Sequence, residues 1–126
     1  YSGSDGTSHV EVIDLQLIVG RDGGARILSQ AAQSVHLGTS TPKELSGWHY
    51  ANDQHFIMSL VGNLRFDTGD GKDYLLKPGQ AIIAEDWTGK GHRSGCDPRN
   101  KANCVAIDVV LAPIVKTYPL RTPPQP

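Results

Sequence analysis

The sequence predicts an all-β domain, and three observations carry that prediction. Fourteen glycines and eight prolines punctuate the chain every eight to twelve residues, a spacing that suits strands joined by turns. Between them lie short apolar or alternating runs at residues 10–19, 25–29, 55–61, 64–67, 74–77, 80–84 and 104–111. Sustained 3.6-residue apolar periodicity is missing except over 27–35, where Ser29-Gln30-Ala31-Ala32-Gln33 reads as a turn of helix in an irregular crossing. Seven short strands point to a sandwich or barrel.

The turns support these pairings. Thr68-Gly69-Asp70-Gly71-Lys72 supplies residues that tolerate positive φ between two strand-like runs, and Pro78-Gly79 bends the chain before Gln80. Both ends read as peripheral: 1–8 is small and polar, a flexible segment, and 119–126 is a Pro-rich tail that cannot join a regular ladder. The barrel is therefore expected over 9–118.

Composition narrows the function. A chain of 126 residues is the size of one domain and buries roughly two-thirds of its unfolded surface, enough for a core that needs neither metal nor disulfide. Twelve Lys and Arg stand against thirteen Asp and Glu, with no basic cluster, so nucleic acid is not an expected partner. The apolar run at 105–113 is interrupted by Asp108 and is far short of the ~20 residues of a membrane-spanning helix, so no membrane association is expected. Because the chain begins at Tyr1, a preceding segment is expected to have been removed. Cys96 and Cys104 flank the polar stretch Asp97-Pro98-Arg99-Asn100-Lys101. They form either a disulfide across a hairpin-like loop or two half-buried thiols of a cytoplasmic protein, and the compartment stays open, cytoplasm being taken first.

Three of the five histidines, His49, His55 and His92, fall where strand and turn signals are strongest. The first two lie in Gly47-Trp48-His49-Tyr50-Ala51 and His55-Phe56-Ile57-Met58-Ser59-Leu60-Val61-Gly62; later come Leu76-Lys77-Pro78-Gly79 and Asp86-Trp87-Thr88-Gly89-Lys90-Gly91-His92. Together these segments, within residues 47–110, resemble the two-motif pattern of small single-domain cupins. Gly62 sets the register: His55 takes the position usually held by Glu, Ala51 replaces the second His and His49 keeps the first. In the second motif His92 comes two residues late, and Glu85-Asp86-Trp87 stands where Pro-x-Gly is usual.

The resemblance implies a cupin barrel, the jelly-roll or double-stranded β-helix, with His49, His55 and His92 pointing into its mouth. Three neutral imidazoles would hold a divalent transition metal, Fe, Zn, Mn or Ni, with coordination positions left open. Loss of the Glu favours an anionic small molecule. Three functions follow: a metal-dependent dioxygenase, isomerase or decarboxylase; a metal-free isomerase, cyclase or dehydratase in which His55 or His92 moves a proton; and a ligand-binding module without chemistry. In the second, Glu85 or Asp86 orients the imidazole.

Trp48, Tyr50, Ile57, Asp86 and Trp87 are the expected pocket residues, although packing in the wall is the plainer role for both tryptophans. Arg65 and Arg26 face inward or outward according to a register that one residue reverses. Lys90, between two glycines, reads as a solvated loop charge. A homodimer sharing the edge at 10–19 is expected, since small cupins commonly pair through an edge strand.

Overall fold

A computed structural model describes residues 1–12, 30–43 and 45–112. The expected strand at 25–29, most of the run at 10–19 and its dimer edge, Arg26 and the Pro-rich tail lie outside these residues. Among the described residues seven strands form two antiparallel sheets: β1 (Ala32–Ser40), β2 (His55–Val61), β3 (Leu64–Thr68), β4 (Asp73–Leu76), β5 (Ala81–Ala84), β6 (His92–Cys96) and β7 (Cys104–Leu111). One sheet has the order β1-β7-β2-β5 and the other β4-β3-β6. No hydrogen-bonded ladder joins the two among the described strands, and this all-β antiparallel arrangement fits the expected jelly roll. No helix among the described residues is long and apolar enough to cross a membrane.

Directly paired residues point to the same face, which fixes what lies between the sheets. In the three-stranded sheet Leu64 pairs with Leu76 and Cys96, Phe66 with Tyr74 and Ser94, and Thr68 with His92. In the other sheet the inner face carries His55, Ile57 and Ser59 of β2 beside Val110, Asp108 and Ala106 of β7. Leu64, Phe66, Leu76, Cys96 and Cys104 form the core, with Ile57, Ile82 and Ala106 packed against it. Burying each large apolar side chain contributes about 1.5–3 kcal/mol. The outer face of the smaller sheet is charged: Asp67 accepts from Arg65 Nε and Arg93 Nη2, each at 2.8 Å. Arg65 thus points away from the interior.

Cys96 and Cys104 are bridged, and because they belong to β6 and β7 the bond ties one sheet to the other. Both are buried, at 2% and 0% exposure. Gly62 sits beside them with φ +77°, where an added Cβ would lie 2.8 Å from the Cys104 sulfur. Close packing and backbone conformation both require glycine there.

Two strands depart from the expectations. β1 occupies the region expected to cross irregularly with a helical turn. Its side chains are exposed on both faces except for Ser34, so no burial rhythm marked it in the sequence. β6, His-Arg-Ser-Gly-Cys, holds no aliphatic strand former; it is a strand because β3 pairs with it along five positions. Tertiary pairing outweighs propensity in such a segment.

Candidate functional site

The strand ends away from the disulfide hold the ionisable cluster. His92 opens β6, four residues or about 13 Å along the strand from Cys96. His55 opens β2 opposite Ala84, the last residue of β5, and two residues further Asp86 reaches back to His92. The segment before β2 closes over this end through a two-residue bridge between His49 and His92, in which each amide donates to the other's carbonyl at 3.0 and 2.8 Å. Gly91, at φ +77°, allows that approach, since a Cβ there would overlap the His49 carbonyl.

Three imidazoles are each held through Nδ1. The His92 Nδ1 lies 2.6 Å from Asp86 Oδ2, His55 Nδ1 lies 2.9 Å from Asp108 Oδ1, and His49 Nδ1 lies 2.9 Å from the Gly47 carbonyl. Carbonyl and carboxylate oxygens accept, so Nδ1–H is the donor, and in the neutral ring Nε2 keeps the lone pair. Rings of His49 and His92 are 4.6 Å apart and that of Phe66 is 6.1 Å from His92. The structure therefore brings His49 and His92 together, while His55 belongs to the facing sheet with Asp108.

Among the described residues no three His, Cys, Asp or Glu side chains form a group that could hold a metal ion; His92 opens β6 and His55 opens β2, and each lies against its own carboxylate.

Of the expected pocket residues, Asp86 is at the site and 3% exposed, and Ile57 packs against the core. Trp87 follows Asp86 and is half-buried. Trp48 is 40% exposed, with Lys90 Nζ 4.0 Å over its ring and Arg93 at 5.3 Å. Tyr50 is 48% exposed, and Lys90 covers an indole face where a solvated charge was expected.

Two residues of the site were not anticipated. Asp108 had a signal, as a lone charge within an apolar strand. Ser8 had none: residues 1–8 read as peripheral, yet Ser2 and Ser8 are 7% and 3% exposed, and the Ser8 hydroxyl donates to Asp86 Oδ2 at 2.6 Å.

Burial acts to raise the Asp86 carboxyl, but hydrogen bonds from His92 and Ser8 outweigh it and hold the group below its ordinary 3.8. Asp67 is likewise lowered, Arg65 and Arg93 overcoming the effect of burial, and Asp97 is lowered chiefly by its hydrogen bond from Arg99. A carboxylate whose folded value lies below its unfolded one stabilises the fold above the unfolded value and loses that contribution as pH falls through the folded value. Stability is accordingly expected to be level above about pH 5 and to fall progressively below about pH 4. Urea unfolding between pH 2 and 7 checks this; a stability that rises on acidification below pH 4 contradicts it.

No protein-family model and no curated protein matches the sequence. Among solved structures, the chain is similar to protein NMB1881 from Neisseria meningitidis, with 16% identity over 68% of this chain and 78% of that one, at a TM-score of 0.50. A cupin domain from Bordetella pertussis Tohama I aligns at 14% identity over 68% of this chain and 99% of that one, with a TM-score of 0.48. At such identities the likeness to protein NMB1881 is one of fold alone.

Proposed function

We propose that this cupin-like domain is a small-molecule enzyme that works by histidine acid–base catalysis, moving a proton within an isomerisation, cyclisation or dehydration. One observation carries the reading: at the end of the sandwich away from the disulfide, a buried carboxylate, Asp86, takes the His92 Nδ1–H at 2.6 Å. Asp86 fixes the ring and its tautomer and leaves Nε2 as the base. On the facing sheet Asp108 holds His55 in the same sense, which makes His55 the candidate second group to return a proton. His49 beside His92 and Phe66 beneath it narrow the space around the base.

A metal-dependent reading has one observation in its favour. All three histidines offer a free Nε2 with Nδ1 held by oxygen, the orientation that outer partners impose on metal ligands. Against it stands the lack of a converging third ligand.

Elemental analysis of protein prepared without chelators or metal columns, and again after incubation with Fe, Zn, Mn or Ni, separates the two. The expected result is far less than one equivalent of metal, with catalysis, once a substrate is found, lost in His92→Asn. Near-stoichiometric metal that disappears in both His49→Ala and His92→Ala overturns the metal-free reading.

A further inference from the structure

We propose that Ser8 is a positioning residue of the His92–Asp86 site, carried there by an N-terminal strap, residues 1–9, that forms part of the site's wall. The inference rests on the acid–base reading given above. The strap is attached along its length. Ser2 Oγ donates to the Thr88 carbonyl at 3.1 Å and accepts from the Thr88 amide at 3.0 Å. The Lys90 amide donates to the Gly6 carbonyl at 3.1 Å, and His9 Nδ1 lies 3.4 Å from Asp70 Oδ2. Ser2 and Ser8 pair with each other as an antiparallel bridge, which closes the strap on itself. Gly89 is in contact with it: at φ +81° an added Cβ would lie 2.5 Å from the Gly6 oxygen.

Holding a strap in place does not require a hydroxyl aimed at a buried carboxylate. The Ser2 and Lys90 contacts already anchor it through backbone groups, whereas Ser8 spends its one donor on Asp86 Oδ2, the oxygen that also receives His92 Nδ1. Two donors on one oxygen share its electron density, so each bond is weaker than it would be alone. Ser8 therefore sets how strongly Asp86 draws on the His92 proton. It also fixes which carboxylate oxygen faces the ring, and its burial keeps water from substituting for the hydroxyl.

The test is the Nδ1–H proton resonance of His92 in the full chain, which needs no substrate and is read by NMR at a pH where the fold is intact. In Ser8→Ala the His92 bond has Oδ2 to itself, and the resonance is expected to move downfield. Ser8→Thr, which keeps the hydroxyl, returns it to the wild-type position, and Ser2→Ala, which frees an anchor and keeps Ser8, leaves it in place. Gly89→Ala, which pushes the strap away at Gly6, gives the downfield shift by a second route should Ser8→Ala not fold. A resonance unmoved in both Ser8→Ala and Gly89→Ala, or a shift that Ser8→Thr does not reverse, overturns the proposal. Failure of the catalytic reading looks different: turnover that survives His92→Asn leaves the resonance shifts as they are.

Discussion

Asp86→Asn is expected to lower turnover of the proposed reaction by on the order of 10³-fold and unfolding free energy by about 2–4 kcal/mol, the largest effects at the site. Asp86 is 3% exposed and accepts from two buried donors, the Ser8 hydroxyl and His92 Nδ1. An amide of the same shape has one accepting oxygen and two N–H groups. Both donors meet the same carboxylate oxygen, Oδ2. If the amide NH₂ takes that position it faces the imidazole nitrogen, which must then become the acceptor; the ring switches tautomer, placing its proton on Nε2, so that the atom proposed as base can no longer accept one, and the Ser8 hydroxyl faces a donor. If the amide oxygen takes it, both donors keep an acceptor, but a neutral one that no longer stabilises the protonated ring. Nitrogen chemical shifts of the ring report the tautomer, and denaturant unfolding reports the loss. An unchanged tautomer with wild-type stability would mean that Asp86 does not orient His92.

Cys96→Ala combined with Cys104→Ala is expected to destabilise the fold by about 2.5 kcal/mol, on the loop-entropy treatment of a short closed loop, and to lower the melting temperature by on the order of 10 °C. The bridge closes a sequence separation of 8 between β6 and β7 and sits in the core beside Leu64. Between its ends Asn100 ties the loop to the rest of the chain, donating to the Asn63 and Asp97 carbonyls at 2.8 and 2.9 Å and accepting from the Asn63 amide at 3.1 Å. These bonds limit the disorder that follows removal of the bridge, so the variant is expected to fold at room temperature with β3 and β6 still paired. The His92 end lies about 13 Å further along β6, and its ring resonances should move little. Melting followed by circular dichroism checks the first point. A melting temperature within 2–3 °C of wild type, about what a change under 1 kcal/mol gives, would show that the bridge does not hold the sheets together.

Strands β2 and β7 were legible in the sequence to the residue, because each combines β-branched or aromatic residues with turn signals at its ends. The same holds within a residue or two for β3, β4 and β5. β1 and β6 were not, and for opposite reasons. β1 is exposed on both faces, so its apolar residues follow no burial rhythm, whereas β6 faces the interior with polar and small side chains whose strand character comes from pairing with β3. The all-β class thus belongs to the sequence itself, because residue type and turn spacing along the chain are enough to specify it, whereas the motif register on Gly62 and the grouping of the three histidines were expectations from the resemblance.

Tertiary structure decided the rest. It placed His92 and His55 on different sheets, each with its own carboxylate, and it set Trp48 beneath two cations. It also brought Ser8 across 78 residues of sequence to Asp86 and joined the two cysteines. Each of these depends on which face of a strand a side chain takes and on which distant segment meets it. Face is reversed by a one-residue change in register, and distant contact leaves no mark in local composition. The chemistry at this end of the sandwich therefore follows from the pairing of strands more than from the identity of its histidines.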